Sequence, residues 1–267
     1  MKALLLEQVR EHPTPPGRIA IWWLGQAGFI LKSPGGKILA LDPYLSNSCK
    51  ALGEEHGFDM DRRIPAPMTA EDLVGIDLYM LTHSHQDHLD PETLGPYRAA
   101  GGKGPFLAPA ETVEKLETLG VPSDQIVTTW PNKSVAVGDF SLQATFAIPF
   151  AEDDLTHVGY LVKIEEGPVI YFTGDTGYHD VIGASVRPRH PDVLVTVING
   201  AFRNLGPAEA AQLAQQIDAQ VVIPCHYDLF GDNAQYPQML RTNLKILGLG
   251  SRYRLLEHGT PYTYPED

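Results

Sequence analysis

The most constraining feature of this 267-residue sequence is a cluster of histidines and one aspartate directly after an apolar strand. Leu78–Thr82 has the composition of a buried strand, and the motif THSHQDH begins at its last residue. On a loop that leaves a strand, His83 and His85 are expected to point the same way, while Asp87 and His88 turn toward an adjacent position. Imidazole and carboxylate groups are metal ligands, and clustering them costs folding free energy unless a cation compensates for it. The motif therefore predicts a metal site at the end of this strand.

Two other predicted strands end in side chains of the same kind. The run Val169–Thr173 leads into Gly-Asp-Thr-Gly with Asp175 between the glycines, and Val221–Pro224 leads into Cys225 and His226. Taken singly, a strand-end Asp is often a cap and a strand-end His an ordinary edge residue. Cys225 is interpreted as a buried structural thiol in preference to a soft metal ligand. Three such strand ends in one chain predict a single metal centre.

Hydrophobic patterning and turn residues predict an α/β protein made of two packed sheets with helices outside. The predicted strands lie at 18–24, 28–33, 37–41, 78–82, 127–129, 134–137, 140–148, 158–164, 169–173, 192–198 and 220–224. The predicted helices lie at 90–99, 110–119, 207–217 and 235–247. The first three strands are spaced closely enough to form an antiparallel meander.

Residues 46–68 are polar and show no period, so they are predicted to be a loop. A loop of this length in a compact domain often serves as a rim or lid of a functional site. No linker, repeat or low-complexity tract interrupts the chain, which predicts one domain over residues 1–267 with a lead-in segment at 1–17.

Composition restricts the partners of the protein. The 33 acidic residues outnumber the 20 basic ones, for a formal net charge of −13, and this balance argues against a nucleic-acid-binding surface or a polybasic membrane anchor. Two cysteines are too few for a disulfide scaffold, and no apolar run approaches the roughly 20 residues of a membrane span. We expect a cytoplasmic protein that acts on a small molecule, and the composition leaves open whether it is a monomer or a homo-oligomer.

The three strand-end clusters resemble the metal-binding signature of the metallo-β-lactamase superfamily of metal-dependent hydrolases. The residues that carry the resemblance are THSHQDH (82–88), GDTG (174–177) and the Cys-His pair of PCHYD (224–228). Within the superfamily, three further stretches are similar to the L-ascorbate-6-phosphate lactonase branch: IAIWWLGQAGFILKSPGGK (19–37), FRNLGPAEA (202–210) and VVIPCHYDLF (221–230). The resemblance extends from about residue 18 to residue 240.

The resemblance implies an αβ/βα four-layer sandwich with two divalent metal ions at one edge. It implies that His83 and His85 belong to one metal site and that Asp175 bridges the two sites. The ligands it implies for the second site are Asp87, His88 and His226.

The sequence departs from the superfamily pattern at one ligand of the first site. The pattern has a third His in the loop after the strand at 140–148, but here that loop reads PFAEDD. The simplest alignment places Glu152 at the ligand position, with Asp153 next to it and His157 as a competitor. A carboxylate ligand would favour manganese or iron over zinc.

The resemblance implies hydrolysis by a metal-bound hydroxide, with Asp87 orienting the attacking water or receiving its proton. The expected activity is that of a lactonase on a small sugar-acid lactone, either phosphorylated or not. One alternative is a phosphodiesterase acting on a cyclic nucleotide or another phosphodiester, and another is a non-catalytic binding module of the same fold.

Asp42 is either a partner of a ligand His or simply a turn-starting residue, and Gln26 is expected at the mouth of the site.

Candidate substrate-binding residues lie close to the ligand motifs in sequence. Arg203 and Asn204 precede a helix whose N-terminus favours anions, so Arg203 is a candidate anchor for a phosphate or carboxylate. Tyr178, Tyr227 and His157 are candidates for contact with the substrate.

Overall fold

The apolar runs near the N-terminus form three antiparallel strands, β1 (Ile19–Gly25), β2 (Gly28–Lys32) and β3 (Ile38–Leu41), as the sequence predicts. The computed structural model describes residues 4–148 and 156–266. Successive side chains of a strand point to opposite faces of its sheet. Trp23 accordingly packs between two sheets, whereas Trp22 packs with side chains of the outer helices. Strand β1 is apolar at nearly every position because both of its faces are buried.

The first sheet is mixed and combines the meander with four further strands. These are β4 (Leu78–Met80), β5 (Phe106–Pro109), β6 (Ile126–Thr129) and β13 (Pro261–Tyr264). The strand order is β13-β1-β2-β3-β4-β5-β6, with β3 to β6 parallel to one another.

The second sheet is also mixed. Its strands are β7 (Ser134–Val137), β8 (Phe140–Phe146), β9 (Val158–Ile164), β10 (Val169–Phe172), β11 (Val193–Val197) and β12 (Val221–Cys225). The strand order is β12-β11-β10-β9-β8-β7; β10, β11 and β12 are parallel, and β7 to β10 are antiparallel. The antiparallel pair of β9 and β10 joins two of the strands predicted from the sequence.

Helices cover the outer face of each sheet. The helices are α1 (Leu6–Glu11), α2 (Cys49–His56), α3 (Pro91–Ala99), α4 (Ala110–Thr118), α5 (Asp180–Val186), α6 (Pro207–Ile217) and α7 (Pro237–Ile246). Side chains of α1, α3 and α4 join the core on the outer face of the first sheet, and those of α5, α6 and α7 join the core of the second. This confirms the αβ/βα sandwich. None of the helices in the described residues is long and apolar enough to cross a bilayer.

The prediction that residues 46–68 form a loop is wrong for α2, which lies within them. This helix buries only Cys49 and Gly53, and Leu52 is exposed, so it has no apolar stripe for a periodicity argument to detect. Helices α1 and α5 and strands β5 and β13 were likewise not predicted, and all of them have seven residues or fewer.

The strand directions bring the chemically active loops to one edge of the sandwich. Strands β3 and β4 end at this edge in the first sheet, and β10, β11 and β12 end there in the second. Strand β9 is antiparallel to β10 and so begins at the same edge. The backbone N–H of Val158 donates to the carbonyl oxygen of Thr82 at 3.0 Å, which joins the two sheets at this point.

Candidate metal centre and active site

Asp42 sets the geometry of the site from the end of β3. Its carboxylate accepts hydrogen bonds from the backbone N–H of Thr82 at 2.8 Å and from the Thr82 hydroxyl at 2.5 Å. It also pairs with Nδ1 of His88 at 2.8 Å. Occupying Nδ1 in this way directs Nε2 of His88 toward the centre of the site, where it is available as a ligand atom. Asp42 therefore acts as the predicted partner of a ligand His.

The first group of potential ligands consists of three imidazoles. His83 and His85 come from the loop after β4, and His157 directly precedes β9. Nε2 of His83 lies 2.9 Å from Nδ1 of His85, and the His83 and His157 rings are 4.0 Å apart between centroids. One ligand atom from each of the three lies within 4.8 Å of the others. His157 was predicted as a competitor for the ligand position, and the structure brings it to that position.

The second group combines carboxylates with imidazoles. Nε2 of His226 lies 3.2 Å from an oxygen of Asp87 and 3.4 Å from an oxygen of Asp175. Nε2 of His88 lies 3.3 Å from the other oxygen of Asp175 and 3.8 Å from Asp87. Ligand atoms of Asp87, His88 and His226 form one compact set, and those of His83, His88 and Asp175 form another. Asp175 thus lies between the two groups, as a bridging ligand would.

The pKa values of His83, in the first group, and of His88, in the second, shift in opposite directions. Burial, followed by the neighbouring histidines, holds the pKa of His83 well below its usual value. Burial alone would also lower the pKa of His88, but the carboxylates of Asp175, Asp87 and Asp42 outweigh it and raise that pKa well above its usual value. Burial raises the pKa values of Asp87 and Asp175, yet the adjacent imidazoles outweigh this effect and lower both. The carboxylates are therefore ionised, which suits them to bind a cation.

Two amide side chains hold these carboxylates in place. Gln26 is fully buried in the turn after β1, and its Nε2 donates to Asp87 at 2.8 Å and lies 3.1 Å from Nε2 of His226. Asn204 donates to Asp175 at 2.7 Å. Gln26 was expected at the mouth of the site, but it lies beneath the ligands because the turn between β1 and β2 passes under the His226 loop. The backbone N–H of His226 donates to the carbonyl oxygen of Gln26 at 2.9 Å.

The backbone at the site adopts conformations that non-glycine residues rarely use. The φ angles are 50° at Gln26, 42° at Asp42 and 58° at His226, all in the left-handed region. Such a conformation costs on the order of 1 kcal/mol or more per residue and persists only where surrounding contacts impose it. The strained backbone therefore occurs at three positions whose side chains point into the site.

The residues present fit a divalent metal centre. Nε2 of His88 and an oxygen of Asp175 are buried, have no hydrogen-bond partner within the described residues and face each other at 3.3 Å. Orphaned buried polar atoms are costly unless a ligand satisfies them. Imidazole nitrogens and carboxylate oxygens are suitable donors for zinc, manganese and iron.

Comparison with known proteins identifies the family. The Beta-lactamase superfamily domain matches residues 40–227, which include every described potential ligand. The chain belongs to the metallo-β-lactamase superfamily. The family match and the similar proteins described next establish the protein as a metal-dependent hydrolase.

Similar proteins cover most of this hydrolase. A UPF0173 metal-dependent hydrolase of Myxococcus xanthus is 31% identical over 86% of this chain and 78% of the relative. A probable L-ascorbate-6-phosphate lactonase, UlaG, of Shigella boydii is 24% identical over 98% of this chain and 86% of the relative. The solved structure of Igni18, a metallo hydrolase from Ignicoccus hospitalis, has a TM-score of 0.73 at 21% identity and covers 94% of this chain and all of that one. These relatives speak against a non-catalytic module of the same fold.

A cavity of about 310 Å³ opens onto the metal centre of the hydrolase. Asp87, His157 and Asn204 line it, together with side chains from α2 and from the loops before β4 and after β11 and β12. Asn204, predicted to contact substrate, thus lines the cavity and also holds Asp175.

The remaining predicted substrate-binding residues lie elsewhere. Arg203 and Tyr178 line a second, adjacent cavity of about 370 Å³ with Glu209. Tyr227 is buried in the core and packs on Trp23, with ring centroids 5.2 Å apart. The structure does not bring these side chains to the cavity at the metal centre.

The structure describes one of the three alternatives for the first-site ligand. Glu152 and Asp153 lie outside the described residues. His157 is 3% exposed and belongs to the three-imidazole group. The signal for His157 was present in the sequence as a His beside a buried strand. Its position in the site follows from the direction of β9, which is antiparallel to β10 and therefore begins at the edge where β4 ends.

Proposed function

We propose that this hydrolase opens a lactone or an equivalent carboxylic ester with water. The observation that carries the proposal is the position of the Asp87 carboxylate. It lines the cavity while lying within 4 Å of the ligand atoms of His88 and His226. When bound, two divalent cations supply an acidic water molecule and an electrophile for the substrate carbonyl oxygen. Asp87 accepts a proton from the attacking water at its cavity-facing carboxylate, and Gln26 holds that carboxylate in position.

The lactone is supported by the relative named as a probable L-ascorbate-6-phosphate lactonase, and by the stretches at 19–37, 202–210 and 221–230 that resemble that lactonase branch. Arg203, the expected phosphate anchor, lines the second cavity. We therefore propose the lactone without assigning a phosphate to it.

We propose zinc for the first group because His83, His85 and His157 offer three imidazoles, a donor set that suits zinc. The second group offers Asp87, His88 and His226 and is suited to zinc, manganese or iron. Metal analysis of protein loaded separately with each ion tests this proposal. Two equivalents of zinc are expected, and a first site that binds only manganese or iron would contradict it.

Turnover tests the reaction class. Metal-loaded protein is offered a panel of lactones, with and without phosphate, and a matched panel of phosphodiesters, and acid release is followed with a pH indicator. Lactone opening is expected, and His190→Asn, a change of an exposed residue, serves as the matched control. Phosphodiester turnover with intact lactones would overturn the proposal in favour of a phosphodiesterase.

A further inference from the structure

The cavity at the metal centre has two unlike sides. One side consists of the ligand groups and polar side chains that include Asp87 and Asn204. The other part of the lining, called here the apolar wall, is formed by Leu52 of α2, Phe58 and Met60 after that helix, Phe202 after β11 and Phe230 after β12. Three separate segments of the chain thus contribute apolar side chains to one wall.

The apolar wall offers nothing to pair with an anionic group. Among the residues that the structure describes, the lining of this cavity includes no Lys or Arg. Apart from His56 at the end of α2, the described side chains that could neutralise an anion in this cavity are the imidazoles at the metal end, where the substrate reacts. The far end of the cavity consequently favours an uncharged, apolar part of the substrate.

Two phenylalanines of this wall are left exposed to water. Phe58 is 42% exposed and Phe202 is 40% exposed. Their rings meet edge to face with centroids 5.6 Å apart and an interplanar angle of 74°. Exposed apolar surface that lines a concave site is typical of a surface that a ligand covers.

The backbone turn at residues 202 and 203 separates the two cavities. The φ angles are 53° at Phe202 and 62° at Arg203, so two consecutive non-glycine residues adopt the left-handed conformation. This turn places Phe202 on the cavity at the metal centre and Arg203 on the second cavity. Asn204, next in sequence, donates to the potential bridging ligand Asp175, which ties the turn to the site.

We infer that the substrate carries an apolar group, a linear alkyl chain or an aromatic ring, which packs against Phe58 and Phe202 while its ester bond lies at the metal centre. Met60 and Phe230 complete the subsite. The volume of about 310 Å³ is at the lower end for small-molecule sites and accommodates a short chain or one ring. The inference rests on the proposed function only in taking the substrate as an acyl compound.

Calorimetric binding of linear carboxylates, from acetate to octanoate, to the metal-loaded protein tests the subsite without turnover. Burying one methylene group strengthens binding by about fourfold, so Kd is expected to fall by about that factor for each added carbon until the cavity is filled. Equal affinity for acetate and octanoate, or no measurable binding of octanoate, would overturn the inference.

Two variants connect the chain-length dependence to the wall. Phe202→Asn removes the ring but supplies a residue that tolerates the left-handed backbone, so the turn is preserved. Phe58→Ala removes the other ring. Each variant is expected to reduce the gain per carbon to less than about twofold, because the methylene groups stay in contact with water.

Trp130→Ala is the matched control because Trp130 is 55% exposed and does not line the cavity. It should retain the chain-length dependence of the wild type. An unchanged dependence in both Phe202→Asn and Phe58→Ala would overturn the assignment of the wall.

The two proposals fail separately. Chain-length-dependent binding with no opening of any lactone would refute the proposed function and leave the subsite standing. Opening of lactones with carboxylate affinities that do not change with length would refute the subsite and leave the function standing.

Discussion

The two groups of potential ligands share one edge of the sandwich but are built differently. The first consists of His83, His85 and His157, three imidazoles in contact with one another. The second alternates imidazole with carboxylate, so that His88 and His226 each lie near an ionised acid. A cation in the first group meets imidazoles alone, whereas one in the second also meets carboxylates that amide side chains hold in place.

Supporting contacts reach both groups but differ in kind. In the first group, Nδ1 of His83 lies 3.0 Å from the hydroxyl of Thr82. The contacts of the second group involve carboxylates. Asp42 positions His88, Gln26 positions Asp87 and Asn204 positions Asp175, all through hydrogen bonds of 2.8 Å or less. The difference teaches that amide and carboxylate partners support the group in which charge must be held. Carboxylates brought together repel one another and need both donors and a cation to remain buried.

Removing a ligand from the second group should have the largest effect. His226→Gly deletes the imidazole and relieves the left-handed backbone at that residue, so a folding defect is not expected. We expect loss of one metal equivalent and a decrease of more than about 100-fold in kcat/KM, beyond the usual effect of losing an outer partner of a ligand. Metal content and steady-state kinetics measure both effects. Full metal content would contradict the assignment of His226.

The first group is tested by comparing His157→Ala with Glu152→Gln. If the three-imidazole group is correct, His157→Ala loses one metal equivalent and about 100-fold in kcat/KM, whereas Glu152→Gln keeps both metals. Metal analysis of the purified variants distinguishes the two. The reverse result would place the carboxylate in the site and exclude His157 as the ligand.

Asp42→Asn tests preorganisation of the second group. It weakens the pairing with Nδ1 of His88, and we expect metal affinity to fall by about 30-fold, within the range for outer partners of ligands. Asp77→Asn is a suitable control because Asp77 also accepts a backbone N–H, from Ile38 at 2.8 Å, and β4 separates it from the site. Equal losses of affinity in the two variants would show that the effect is one of general stability.

The smallest effect is expected for Asn204→Ala. It removes a single hydrogen bond to Asp175, and the loss of one charged hydrogen bond corresponds to about a tenfold decrease in metal affinity. Titration with a competing chelator measures the change. A loss as large as that of His226→Gly would show that Asn204 does more than orient the carboxylate.

Long, strongly patterned elements could be predicted from the sequence. Helix α6 has the predicted limits Pro207–Ile217, because a proline opens it and an apolar stripe runs along it. Short elements such as α2 and β5 were not predicted, since two to four buried residues cannot establish a period. The meander of β1 to β3 was predicted because its turns contain glycine and its strands are apolar on both faces.

The cavity wall could not be predicted in the same way. Phe58, Phe202 and Phe230 are far apart in the sequence, and each is unremarkable in its local context. They meet because α2 and the loops after β11 and β12 close over the same edge of the sandwich. Phe202 and Arg203 line different cavities because of a backbone turn that their residue types do not predict.

The sequence by itself determined the chemistry of this protein. Imidazole and carboxylate groups are metal ligands, and residues such as His83, Asp175 and His226 follow apolar strands, so their type and position, with the family resemblance, predict them as ligands. Only the tertiary structure decided how the potential ligands divide between two groups and that His157 belongs to the first. It also decided that Gln26 lies beneath the ligands and that apolar side chains line the same cavity. Ligand chemistry is a local property of side chains, whereas distances between remote residues are set by strand direction and packing.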